Sequence, residues 1–102
     1  MLADSSFVTR RRVKKLLRRK RQVDHRGCWL WTGSISVYGY GVCQVRKQQV
    51  RVHRMAAWLY LDLDPDDLTL DVHHTCGVKH CFNPKHLEVL TRREHARVHI
   101  SA

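Results

Sequence analysis

The sequence has no apolar run that approaches the roughly 20 residues a membrane-spanning helix requires, which argues against a membrane protein. It also has no internal repeat and no long Gly/Ser-rich linker. The N-terminus lacks the basic-then-apolar order of a secretory signal, so we expect a cytoplasmic protein. In a reducing compartment, four cysteines indicate metal binding or free thiols rather than disulfides. The length of 102 residues predicts one small domain, which a structural metal would help to stabilise.

Acidic residues are scarce as well: 9 Asp and Glu stand against 19 Lys and Arg, giving a formal charge of +10. This imbalance predicts a polyanionic partner, with nucleic acid favoured over a membrane surface. Nine of the cations lie between residues 10 and 21, and they are the candidate DNA-binding residues: Arg10, Arg11, Arg12, Lys14, Lys15, Arg18, Arg19, Lys20 and Arg21. Phosphate contacts from this segment would supply affinity and salt sensitivity but little sequence specificity. The alternative is a solvated or disordered tail.

Hydrophobic spacing predicts an α+β domain. The basic segment carries a stripe of apolar residues at helical spacing, with a cap expected at Asp4, Ser5 or Ser6. The further predicted elements are strands at 28–32, 39–45, 50–52, 70–74 and 86–90, a helix at 55–61 and a final helix after Thr91. We divide the chain into a basic N-terminal arm, residues 1–26, and a main domain, residues 27–102. The three tryptophans are assigned to packing rather than to base stacking.

Three potential zinc ligands recur at regular spacing near the C-terminus. Cys76, Cys81 and His86 form a Cys-x4-Cys-x4-His string, and Asn83-Pro84 supplies a rigid turn before the histidine. Sulfur and imidazole are the donors that Zn²⁺ prefers in closed structural sites, which have four ligands. The bland alternative is two small buried cysteines and a core histidine.

The fourth zinc ligand has two candidates, Cys28 and Cys43. We favour Cys28, because it follows a glycine at the start of a strand, where the backbone can bend toward a metal. His80 adjoins Cys81 and is expected to be solvent-exposed rather than a ligand. His74 and His95 flank the string without being needed to complete it, so both are available for chemistry. This cluster favours a metal-dependent nuclease.

The same residues resemble the HNH nucleases of the ββα-metal group, especially the small phage-type members. The resemblance rests on 27–33 (Gly-Cys-Trp-Leu-Trp-Thr-Gly), 39–41 (Gly-Tyr-Gly), 52–54 (Val-His-Arg) and 72–95, and it covers roughly residues 27–98. The last of these segments also resembles the His-Cys box homing endonucleases, in which a His-x-Cys-x4-Cys-x4-His string precedes a metal-binding residue on the next helix. The basic arm lies outside the resemblance.

The resemblance implies a role for several single residues. His74 takes the place of the general base that activates water, with a structural histidine next to a zinc ligand as the alternative. His95 takes the place of the helix residue that binds the catalytic divalent cation, with a surface helix histidine as the alternative. His73 stands where many phage-type members have an aspartate ligand, so it either binds that cation or simply flanks the base. Arg54 resembles a basic residue near the scissile phosphate, with an ordinary solvated charge as the alternative.

The expected fold is therefore a small ββα-metal (HNH) nuclease domain with a structural zinc site and a basic N-terminal helix. The expected activity is DNA phosphodiester hydrolysis, as a nick or a double-strand cut, with Mg, Mn or another divalent cation beside the structural Zn. Expected partners are DNA, a second copy of the chain, or phage packaging proteins, in the host cytoplasm if the chain is phage-encoded. The alternatives are a non-catalytic zinc module that regulates by binding DNA, and a packaging accessory nickase.

Overall fold

The computed structural model describes residues 9–45, 47–64 and 66–101, the last four by their backbone alone. Its elements, in chain order, are α1 (Arg10–Arg19), β1 (Arg21–Val23), β2 (Trp29–Trp31), β3 (Val42–Val45), β4 (Gln48–Arg51), α2 (Val52–Leu61), β5 (Leu70–His74), a 3-10 helix (Pro84–His86), β6 (Leu87–Thr91) and α3 (Arg92–Ser101). The α+β class is confirmed. Strand β1 and the 3-10 helix are additions to the predicted set.

Helix α1 is a packed element of the core. The hydroxyl of Thr9 accepts a hydrogen bond from the Arg12 amide and caps the helix; the predicted caps at residues 4–6 lie outside the described residues. Val13 and Leu17 are buried, at 3% and 1% exposure, on the face that packs against α2. Burying two such side chains contributes about 3–6 kcal/mol. The disordered-tail interpretation of this segment is therefore wrong for residues 10–19.

The described strands form three separate antiparallel pairs, β1 with β2, β3 with β4, and β5 with β6. The β1–β2 pair joins Arg21 to Trp31 and so links the basic arm to the rest of the chain. Trp31 is buried, and its indole N–H donates to the Val42 carbonyl at 3.2 Å, tying β2 to β3. Gly41 allows this contact, since a Cβ there would lie 2.9 Å from the Trp31 ring.

Helix α2 lies at the centre of the molecule. Its buried residues, Val52, His53, Met55, Ala56, Ala57 and Trp58, contact elements from both ends of the chain. Its C-terminal cap is Asp62, which adopts a left-handed conformation (φ 58°). The amide N–H of Asp62 donates a hydrogen bond to the Ala57 carbonyl. The β5–β6 hairpin and α3 pack together beside it. In the described part of the chain, no helix has both the length and the apolar character needed to cross a membrane.

Candidate metal centre and adjoining catalytic cavity

Four sulfur and nitrogen ligand atoms converge between the β2 segment and the loop after β5. Those of Cys28, Cys76, Cys81 and His86 all lie within 4.8 Å of one another. Nδ1 of His86 is 3.6 Å from Sγ of both Cys28 and Cys81. The corresponding edge of a tetrahedron with Zn–S near 2.3 Å and Zn–N near 2.05 Å is about 3.6 Å. The cluster can thus hold a metal ion, and its donor set and spacing fit zinc.

Hydrogen bonds between side chains and the backbone hold this cluster together from both sides. Nδ2 of buried Asn83 donates to the Gly27 carbonyl at 2.7 Å, while its Oδ1 accepts from the Lys85 amide and caps the 3-10 helix. The Cys28 amide donates to Oδ1 of Asp24 at 2.9 Å. The predicted rigid turn at Asn83-Pro84 therefore positions His86 and also joins it to the distant Cys28 segment.

The surroundings of the Cys28 thiol are those expected of a metal ligand. Burial, followed by the neighbouring thiols of Cys81 and Cys76, raises the pKa of Cys28 to about 12. A metal cation among the sulfurs has the opposite effect, because it stabilises thiolates directly. Cys43 is placed elsewhere: its thiol donates to Sδ of Met55 at 3.2 Å, and burial raises its pKa. Of the two candidates for the fourth position, the structure brings only Cys28 to the cluster.

A cavity of about 150 Å³ opens beside the metal cluster. Its lining residues are Tyr40, Val72, His73, His74, Gly77, Lys79 and His95. The end of β5 supplies the adjacent histidines, and α3 supplies His95. The cavity therefore brings together the three histidines that the sequence singled out for chemistry.

His74 is held as a neutral imidazole. Its Nε2 lies 3.0 Å from the Cys81 carbonyl, which can only accept, so Nε2 carries the proton and Nδ1 carries the lone pair. Burial lowers the pKa of His74 to about 4, and its hydrogen bond to Cys81 opposes that effect only partly. An unprotonated nitrogen at neutral pH is the form a general base needs.

Behind His74 lies a second, more deeply buried histidine. The ring centroid of His53 is 4.7 Å from that of His74, and Tyr40 stacks on His53 at 5.2 Å. Burial, with the charges of His74, Arg51 and Arg54 as smaller causes, lowers the pKa of His53 to about 3. Its Nδ1 has no hydrogen-bond partner among the described residues. An uncharged His53 ring therefore packs against the ring of His74, the candidate base.

In the same cavity, the rings of His95 and His73 approach each other, with their centroids 5.2 Å apart. Nδ1 of His95 is 3.1 Å from Oδ2 of Asp71. A carboxylate accepts the Nδ1 proton and so leaves the lone pair on Nε2, an arrangement that orients histidine ligands in metal sites. Imidazole and carboxylate groups suit a divalent cation at this position.

The other predicted site residues lie outside this cavity. Arg54 uses Nη1 to donate to the Leu70 carbonyl at 3.0 Å, and its Nη2 is buried without a partner in the described part of the chain. Its proposed phosphate contact stays a prediction. On α1, Arg11, Arg12, Lys15 and Arg19 line one groove with Leu16. Arg10 instead donates to the carbonyls of Trp58 and Leu59, and the Arg21 guanidinium covers the Trp29 ring at 4.5 Å.

Sequence reasoning gave no role to Asp71, His53, Tyr40 or Lys79. The sequence did contain a signal for Asp71. Side chains two residues apart on a strand share a face, so Asp71 could have been predicted to lie on the same face as His73. His53 and Tyr40 fall within the quoted family-like segments, yet only the tertiary structure brings them to His74.

Residues 50–97 match the sequence model of the HNH endonuclease family. The matched segment runs from β4 to α3 and contains the three cavity histidines. No curated protein and no solved structure matches the chain.

Proposed function

We propose that this chain, which belongs to the HNH endonuclease family through residues 50–97, is a metal-dependent DNA endonuclease with His74 as its general base. The observation that carries the proposal is the state of His74. It lines the cavity, its Nε2 proton is engaged by the Cys81 carbonyl, and its lowered pKa keeps Nδ1 unprotonated at neutral pH. A DNA-binding module without catalysis has no use for such a group.

In the proposed reaction, Nδ1 of His74 removes a proton from water as the water oxygen bonds to phosphorus. The bond from phosphorus to the leaving oxygen breaks, that oxygen takes up a proton from solvent water, and His74 later returns its proton to solvent. A bound phosphate anion raises the pKa of a neighbouring imidazole, so the low pKa of His74 moves toward neutrality when substrate is present. The buried His53 ring limits the motion of His74 on the side away from the cavity.

His95 and His73 are the proposed holders of the catalytic cation, with Asp71 orienting His95. When bound, a divalent cation supplies charge stabilisation for the phosphate and the leaving oxygen. Imidazole ligands favour Mn, Co, Ni or Zn over Mg. Should both histidines coordinate, cleavage is faster with Mn, Co or Ni than with Mg; strict dependence on Mg would place His73 off the metal.

Zinc at Cys28, Cys76, Cys81 and His86 is proposed as a purely structural ion. Four protein side chains would fill its coordination positions, and such closed sites stabilise a fold without offering an open position to substrate. The ion would join the β2 segment to the loop that carries the Cys81 carbonyl. It would thereby hold in place the carbonyl that accepts the Nε2 proton of His74.

The decisive experiment incubates supercoiled plasmid with zinc-loaded protein and Mg, Mn, Co, Ni or Zn, with EDTA as the metal control. His74→Ala should reduce cleavage by about 10²–10⁴-fold, since it removes the base, while zinc content and DNA affinity stay unchanged. His80→Ala, in the loop that follows His74, is the matched control, because His80 is not among the residues that line the cavity. It should cleave like the wild type.

His95→Ala separates the role of the cation from that of the base. It should also lose activity, but excess divalent ion should restore part of it, whereas no metal concentration should rescue His74→Ala. If the wild-type protein binds DNA and cuts it with none of these ions, the chain is a binding module and the proposal fails. Equal cleavage by His74→Ala would remove His74 from the mechanism.

A further inference from the structure

The turn that leads into the cavity exposes apolar side chains. Val37 is 93% exposed, Tyr38 69% and Ile35 47%, although all three precede a wall of the candidate active site. Solitary exposed apolar residues are ordinary, but three within four positions at the rim of a cavity mark a contact surface. We call the tip of this loop, residues 36–39, the rim turn.

The rim turn is held rigidly by hydrogen bonds. The Gly39 amide donates to the Ser36 carbonyl at 2.9 Å, the Ser36 amide donates to the Tyr40 carbonyl at 2.8 Å, and Ile35 pairs with Gly41 across the loop. Nζ of Lys79 donates to the Tyr38 carbonyl at 3.1 Å. This bond ties the turn to the loop after β5, residues 75–83, which carries Cys76 and Cys81 and which we call the metal-binding loop. Gly39 has a φ of 93°, which other residues rarely adopt. The backbone that carries the two tip side chains is thus fixed relative to the cavity.

Cations lie between the rim turn and the cavity. The Arg51 guanidinium sits 4.3 Å above the Tyr40 ring, and the Lys79 ammonium is 5.5 Å from it. Tyr40 and Lys79 also line the cavity. Two residues of extended chain span at most about 7 Å, so Tyr38 lies within about two nucleotides of Tyr40 at a rise of 3.4 Å each. The cationic side chains of Arg51 and Lys79 are suited to contact phosphates. The uncharged side chains at the tip are suited to contact the faces of bases.

We propose that the rim turn binds the face of an unpaired or unstacked base next to the scissile phosphate, with Tyr38 as the stacking platform and Val37 beside it. This inference rests on the proposed nuclease function and specifies its substrate as DNA with a disrupted base pair at the cut. In a fully stacked duplex the faces of the bases are covered. A cationic track beside an exposed aromatic side chain is the combination that binds single-stranded segments without reading sequence.

The test compares two labelled duplexes, one fully paired and one carrying a single unpaired 2-aminopurine, by fluorescence anisotropy. Zinc-loaded protein is used without further divalent ion, so that binding is measured apart from cleavage. The wild type should prefer the duplex with the unpaired base, and Tyr38→Ala should lose about 5- to 150-fold in affinity for that duplex alone. Tyr38→Phe should keep the preference. A change in 2-aminopurine fluorescence should accompany binding of the wild type and of Tyr38→Phe only.

Leu68→Ala is the matched control, because Leu68 is 70% exposed and belongs to a different loop. Unchanged affinities in Tyr38→Ala would overturn the inference while leaving the nuclease proposal intact. An equal loss on both duplexes would assign Tyr38 to a duplex groove and overturn it as well. A wild type that binds neither duplex would contradict the nuclease proposal, and the inference would fall with it.

Discussion

At the residue scale, the site contains three side chains whose charged forms are disfavoured by burial. His53 and His74 are both held neutral, and Cys28 retains its proton unless a metal ion replaces it. Each group is displaced in the direction that favours its uncharged form. The free-energy cost of holding these groups uncharged is offset by the packing of the surrounding core. The arrangement keeps a lone pair available in a strongly cationic molecule.

The burial of neutral His53 predicts a pH-dependent stability. Its folded pKa of about 3 lies below its unfolded value of 6.5, so only the unfolded state takes up a proton as pH falls. Stability is therefore lost as pH falls below about 6.5, by about 2 kcal/mol between pH 7 and pH 5. His53→Phe, which keeps a ring against Tyr40, should reduce this loss by about that amount. Urea unfolding of both proteins at the two pH values measures it, and equal losses would show that His53 is charged in the fold.

At the element scale, most helices and strands were predictable because their signals are local. The basic helix follows from Val13 and Leu17 at helical spacing, and β5 occupies the residues 70–74 that were predicted. The site was predictable only in part. Cys76, Cys81 and His86 lie close in sequence, but Cys28 is 58 residues from His86, and only the folded chain distinguishes it from Cys43. His53 acquires its position through the packing of α2 against β5, which leaves no trace in local spacing.

The two cysteines of the N-terminal half, Cys28 and Cys43, give a matched pair of variants. Cys28→Ser should remove the bound zinc and lower Tm by more than about 10 °C, since each kcal/mol shifts Tm by about 4–8 °C in a domain of this size. Cys43→Ser should keep one zinc per chain and change Tm only slightly, because its thiol meets Met55 instead. Elemental analysis and thermal melts provide both readouts. Full zinc retention in Cys28→Ser would contradict the proposed ligand set.

Different residues of α1 should govern stability and DNA affinity, so the two properties can be changed separately. Replacing Arg11, Arg12, Lys15 and Arg19 with Gln removes four exposed cations from one groove without touching Val13 or Leu17. DNA affinity should fall, and the slope of log K against log salt should decrease by about 3–4, close to 0.9 per lost phosphate contact. Lys47→Asn, a single change at the β3–β4 turn, is the control. An unchanged slope would exclude this groove from the interface.

Deleting residues 1–21 would not separate the effect of the cations on DNA affinity from an effect on stability. Val13 and Leu17 belong to the core, so the truncated chain should lose stability as well as charge. Leu17→Ala should reproduce that loss, at about 2–5 kcal/mol, with the cations kept. Urea unfolding checks this expectation, and a wild-type stability for Leu17→Ala would show that the helix is only loosely attached.

At the scale of the whole molecule, the family-matched segment is not self-sufficient. Residues 50–97 contain the cavity histidines, but Cys28, Tyr40 and the rim turn lie before residue 50. The core likewise combines α1 with α2 and with Phe82 of the metal-binding loop. The chain therefore works as one unit, in which the N-terminal half completes both the metal cluster and the cavity. The division at residue 26 stays a prediction, and β1 pairs with β2 across it.

Among the described residues, one cavity holds the proposed general base, and this predicts the course of plasmid cleavage. The two strands of DNA run in opposite directions, so His74, acting as the proposed base, would reach one scissile phosphate in each encounter. Open circles should therefore appear first, and linear DNA should follow only through independent second nicks. Time courses of the supercoiled, open and linear forms at several protein concentrations measure this, together with the mass of the protein in solution. A dimer acting on both strands would instead give linear DNA directly, at a rate that rises with the square of protein concentration, and that result would replace the nicking assignment with a paired, two-copy enzyme.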